Sequence, residues 1–156
     1  MEERLEQVLV SLRRVIRATD LHSKHLAKVS GLTAPQILLL QAIRKLEGVT
    51  VGQLAKEVSL SQATVTSILD RLEKKGYIAR KRSTVDKRKV HVQLTQQGIK
   101  ALNDAPQPLH TEFSNQFNVL QEWEQTMIIA ALMRVASMMD AEHIDASPVL
   151  DIGTLD

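Results

Sequence analysis

The chain has 156 residues, with 20 Lys and Arg, 18 Asp and Glu, five His and no cysteine. That length suits one ordinary domain with its own core, and the missing thiols exclude a disulfide framework, a thiolate nucleophile, cysteine-ligated metal and thiol redox sensing. Charges are mixed through the N-terminus and no apolar run reaches membrane-spanning length, so a soluble cytoplasmic protein with no membrane partner is expected.

The net charge of +2 conceals a division along the chain. Residues 1–100 carry 19 Lys and Arg against nine acids, a net of +10, whereas residues 101–156 set Arg134 against nine acids, a net of −8. From Leu5 to Val29 apolar residues recur at helical spacing (Leu5, Val8, Leu9, Leu12, Val15, Ile16, Leu26, Val29), which predicts a long helix ending near Gly31. A helix of that length exceeds what so small a domain holds inside, so part of its stripe is expected to meet another chain. Thr33 and Gln36 have capping-box spacing for a second helix that stops at Gly48, and Thr50 and Gln53 repeat the pattern for a short third helix through Leu54 to Val58. Ser59 and Ser61 offer caps for a fourth helix ending at Gly76. The period then becomes two: Ile78 to Arg82, turn chemistry from Ser83 to Lys87, and Val90, Val92 and Leu94 alternating with polar residues predict a hairpin with a charged tip. Thr95 caps a helix from Gln96, interrupted by Pro106 and Pro108; a last apolar helix runs from about Gln121 to Met139, and the tail from Asp145 to Asp156 is read as loop.

Short helices followed by a β-hairpin make a mainly α fold, a winged helix-turn-helix with long helices at both ends. In the helix 61–75, Val65, Ile68, Leu69 and Leu72 fall on one arc and must face the core. The opposite arc carries Ala63, Thr66, Ser67, Asp70, Arg71 and Lys74, with Ser61, Gln62 and Thr64 at the first turn. Short polar side chains let a helix approach base edges, Gln and Arg can bond them in pairs, and hydroxyls and amides near the helix start can hold phosphate. Beside it, Arg71 to Val90 contains nine cations, among them Arg80, Arg82, Lys87 and Arg88, against Glu73 and Asp86. That is a footprint for double-stranded DNA. A solvated basic face, or a winged-helix module that binds an acidic protein, is the alternative.

The segments LTAPQILLLQAI and VTVGQLAKEVSLSQATVTSILDRLEKKGYIARKRSTVDKRKVHVQLTQQG, from about Leu32 to Gly98, resemble the MarR-type multiple-antibiotic-resistance regulators. The resemblance implies a DNA-binding repressor, Asp86 as a wing-tip acid that orients Arg88, and Arg88 in a minor groove, where a narrow A/T-rich tract attracts a cation. It also implies a homodimer built by residues 1–33 and 105–145, a DNA-binding domain over 34–104 and a tail over 146–156. The apolar stripe of Trp123, Met127, Ile128, Leu132, Val135 and Met139 agrees with such an interface, and a helix buried within one chain is its alternative. LRRVIRATDLHSKHLAKVSGLT and VLDIGTLD further resemble regulators of compatible-solute (ectoine and betaine) genes.

His22 and His25, three apart, have spacing for two metal ligands, with His110 and His143 in the other outer segments. Without a cysteine or a carboxylate set they are expected to be ordinary surface or interface histidines, with no metal and no cofactor. The family resemblance implies a small-molecule effector between lobes, but one Trp, one Tyr and two Phe argue against a large aromatic pocket, and an ionic effector is the other expectation. No nucleophile elbow or phosphate-binding glycine loop is present, so an enzyme is not expected.

Overall fold

Four of the helices start where a side chain replaces the missing turn. The computed structural model describes residues 2–144 and 149–151. They form α1 (Glu2–Ser30), α2 (Ala34–Lys45), α3 (Val51–Glu57), α4 (Gln62–Lys74), β1 (Ile78–Arg82), β2 (Val90–Leu94), α5 (Gln96–Asp104), α6 (Leu109–Asn118) and α7 (Glu122–Met138). The Gln36 N–H donates to Thr33 Oγ1 at 3.4 Å while the Thr33 N–H donates to Gln36 Oε1 at 3.1 Å, and Thr50 and Gln53 repeat this reciprocal cap at 3.2 and 3.0 Å. Ser61 and Thr95 cap α4 and α5 by accepting the N–H groups of Thr64 and Gly98.

α2 is the hub of the core, with Ile37, Leu39, Leu40, Ala42 and Ile43 all buried. Against it α3 sets Leu54, and α4 inserts Val65, Ile68, Leu69 and Leu72, none of them accessible. Burying a side chain of this size contributes roughly 1.5–3 kcal/mol, so the α4 arc fixes the orientation of its own outer face. The antiparallel hairpin pairs Ile78 with Leu94, Arg80 with Val92 and Arg82 with Val90. Ile78 and Val92 complete the core. The far edge of β2 is covered as well: the Val92 N–H donates to Val49 O at 2.9 Å, Thr50 bridges to His91, and His91 Nδ1 lies 2.7 Å from Gly48 O.

Two glycines weld the hairpin to its neighbours. Gly76 ends α4 at φ +76°, a left-handed conformation that favours glycine. Gly98 lets α5 run against the hairpin base, for a Cβ there would lie 1.9 Å from Tyr77 O.

The outer helices are a different kind of element. α1, about 44 Å long at 1.5 Å per residue, buries Thr19 and Leu26 alone, and neither α6 nor α7 buries any residue. Pro106 and Pro108 do more than interrupt one helix: α5 stops at Asp104, and Pro108 becomes the N-cap of a separate α6. Trp123, Met127, Leu132 and Met139 are exposed, whereas Ile128 and Val135 are partly covered. Of the tail, residues 145–148 and 152–156 lie outside the described residues; Val149 is buried and Asp151 accepts a hydrogen bond from Ser23 of α1. Among the described residues no single helix is long and apolar enough to cross a membrane.

Candidate nucleic-acid interface

Because the apolar arc of α4 is fully consumed by the core, its polar arc faces outward without further assistance. Gln62, Ala63, Thr66, Arg71 and Lys74 are exposed along it, and Ser67 is half-buried. Ser61 and Thr64 hold the helix start: the Thr64 N–H donates to Ser61 Oγ at 3.1 Å, and the two hydroxyls lie 2.8 Å apart. The other end of α4 is tied on two sides. Lys75 Nζ donates to Gly31 O, at the end of α1, and Thr95 Oγ1 donates to Gly76 O, both at 2.6 Å.

The hairpin tip is a hydrogen-bonded turn. Ser83 Oγ accepts the N–H groups of Val85 and Asp86 at 3.2 Å each, Asp86 Oδ1 accepts the Arg88 N–H at 3.0 Å, and the Lys89 N–H donates to Asp86 O at 2.9 Å. The Ser83 N–H closes the turn onto Lys89 O. Asp86 therefore acts on Arg88 through the backbone: its carboxylate fixes the main chain from which the exposed guanidinium projects. Ser83, which the spacing of charges did not single out, does as much of this work. Its signal in the sequence was the Ser-x-x-Asp order in a turn, a type that side-chain hydroxyls stabilise.

Arg80 is held by two acids. Its Nε donates to Glu73 Oε2 at 2.7 Å and its Nη2 to Asp70 Oδ1 at 2.6 Å, with a second bond from Nη2 to Glu73. Burial lowers its pKa, but the hydrogen bonds and charges of Glu73 and Asp70 raise it by more, so it remains a cation with both acids as partners. Arg80, expected as a DNA contact, forms a brace that fastens β1 to α4. Arg82, Lys87 and Arg88 are exposed further along the wing.

His22 Nε2 lies 3.0 Å from Gln107 O, joining α1 to the α5–α6 link, while His25 and His143 are exposed. Among the described residues no three His, Asp or Glu side chains gather as a metal-binding group. A cleft of about 410 Å³ opens between α2, β2 and α5, walled by Ile43, Val92, Leu94 and Ile99.

A model of the MarR family matches residues 32–90. An uncharacterised HTH-type transcriptional regulator of Bacillus cereus is 36% identical over 126 residues, which cover 78% of this chain and 84% of that protein. The HTH-type transcriptional regulator MhqR of Bacillus subtilis is 29% identical over 136 residues, covering 86% of this chain and 93% of its own. A MarR variant from E. coli, solved in complex with operator DNA, superimposes with a TM-score of 0.57 at 25% identity, covering 85% of this chain and 95% of that one.

Proposed function

Since the chain belongs to the MarR family and is a DNA-binding transcriptional regulator rather than an enzyme, we propose that it works as a homodimeric repressor on a pseudo-palindromic operator. α4 of each copy enters a major groove, and each wing lies along the adjacent minor groove. The observation that carries this is the fastening of a basic wing to α4 by Arg80, which gives the exposed polar arc of the helix and the exposed Arg82, Lys87 and Arg88 one common frame.

In this assignment Gln62, Ala63, Thr66 and Ser67 approach base edges, Ser61 and Thr64 shape the helix start near phosphate, and Arg71 and Lys74 serve bases or backbone further along. Arg82, Lys87 and Arg88 meet the phosphates and the minor groove; Asp86 positions Arg88, and Arg80 braces without touching DNA. Residues 1–33 and 105–145 form the dimer interface and 34–104 the DNA-binding domain. Support for the interface comes from the bare apolar side chains of α1 and α7, such as Leu5, Val15 and Ile16 on one and Trp123, Leu132 and Met133 on the other. The regulated genes are assigned to compatible-solute metabolism on the resemblance of the segments around His22 and in the tail, with an ionic or small-molecule effector as the signal.

The test is selection of duplexes from a random pool by the full-length protein, followed by a reporter whose promoter overlaps the selected site. A dyad motif and a fall in expression are expected. Selection of no motif would overturn DNA recognition, and a rise in expression would overturn repression alone.

A further inference from the structure

Among the described residues, Val85 is the one exposed large apolar side chain between α1 and Phe113, and at 96% it is the most exposed of all. Every other one lies on α1 or from Phe113 onward, and all but Leu150 fall within the proposed dimer interface. A lone valine on a surface is ordinary. This one stands at the tip of the wing, between Ser83 and the cations Lys87, Arg88 and Lys89. The turn beneath it is held by hydrogen bonds of Ser83 and Asp86, so its backbone is fixed while its isopropyl group is bare. β-Branching leaves that group few rotamers. The result is a stiff apolar knob on the end of a basic hairpin, a poor match for an acidic protein surface and a good one for a groove whose walls are phosphates and whose floor is not.

Resting on the proposed placement of the wing, we infer that Val85 is a specificity-determining residue that selects A·T over G·C pairs by contact with the minor-groove floor. In the minor groove A·T and T·A pairs show acceptors alone, whereas G·C adds the protruding guanine 2-amino donor. An apolar knob packs along the smooth A·T floor. Against G·C it meets the amino group sterically and strips its water without offering an acceptor. This differs from the part given to Arg88, whose cation responds to the potential of a narrow groove rather than to one exocyclic group.

The full-length protein is titrated at fixed salt against a duplex that it selects in vitro, and against variants with single flanking A·T pairs changed to G·C or to I·C, inosine lacking the 2-amino group. At one position in each flank G·C should weaken wild-type binding about fivefold or more, and I·C should restore it. Val85→Ser, with a hydroxyl that can accept from the amino group, should lose most of that discrimination at an unchanged unfolding temperature. Equal penalties for I·C and G·C would place the discrimination in the major groove, and wild-type discrimination in Val85→Ser would assign it to Arg88; either result would overturn the inference. A wild-type protein that selects no duplex would instead overturn the placement of the wing on which the inference rests.

Discussion

Asp86 and Arg88 illustrate how little of a side chain's role lies in its charge. The carboxylate is a turn element whose acceptor oxygen holds the Arg88 N–H at 3.0 Å. Asp86→Ala should therefore weaken operator binding although it removes a negative charge next to DNA, and Asp86→Asn, which keeps an acceptor oxygen, should recover most of the loss. Tighter binding by Asp86→Ala would show the acid to be a mere source of repulsion from phosphate. Arg88→Ala should weaken binding at both half-sites and relax the preference for A/T-rich flanks, measured by titration of flank variants at one salt concentration. Gly98 is a purely structural counterpart. A methyl group there meets Tyr77 O at 1.9 Å, and that oxygen already accepts the Thr95 N–H at 3.1 Å. Gly98→Ala must displace backbone, and a loss of roughly 1–3 kcal/mol is expected in denaturant titration. Full stability of that variant would contradict the close approach. At this scale the sequence shows residue types but not contacts: Gly98 closes the family-like segment without announcing what it touches, and Val85 looks like any turn residue until its exposure is known.

Helices and hairpin were the legible part, because their signals are local. Thr33 with Gln36, Thr50 with Gln53, and Ser61 before the Val65–Leu72 arc each state a helix start within four residues, and each cap forms as its spacing implies. Pairings between elements were not legible in this way. Val49 and Thr50 join the far edge of β2 across some forty residues of chain, and nothing in their spacing marks it. Arg80 was within reach. Alternation along β1 places it on the same face as the buried Ile78, toward α4, where Asp70 and Glu73 present carboxylates three residues apart. Counting it only as one more cation hid that geometry. The brace can be tested by charge. Arg80→Met keeps the bulk and strands two acids beside the proposed DNA face, so binding should weaken, with stability falling by about 1 kcal/mol for so exposed a network. Adding Glu73→Gln should recover part of the affinity. If Arg80 held phosphate directly and independently of Glu73, Glu73→Gln would raise affinity by the same factor with Arg80 present as without it.

At the scale of the molecule, the charge division of the sequence has a structural counterpart. The basic segment builds the lobe of α2 to α5, and the acidic one carries the bare helices α6 and α7. Lys75 ties the end of α4 to the end of α1, and Thr95 ties it to the start of α5. The apolar stripe of α7 is visible in its period, and among the described residues α7 buries no side chain. The proposed dimer predicts that sedimentation at micromolar concentration gives two copies per particle, and that removing residues 1–28 shifts the particle toward one copy or toward aggregation. A well-folded full-length monomer would contradict it. Phosphate neutralisation by two wings should also make affinity fall steeply with salt, by orders of magnitude between roughly 50 and 200 mM. For ionic strength to act as the signal, specific binding must fall more steeply than nonspecific binding, and equal slopes would remove that role. The most direct measurement is a hydroxyl-radical footprint of the full-length protein on a duplex that it selects. Two half-sites related by a dyad, with centres about 10 bp or a near multiple apart and a protected minor groove beside each, are the expected result. A single protected tract without dyad character would contradict the account.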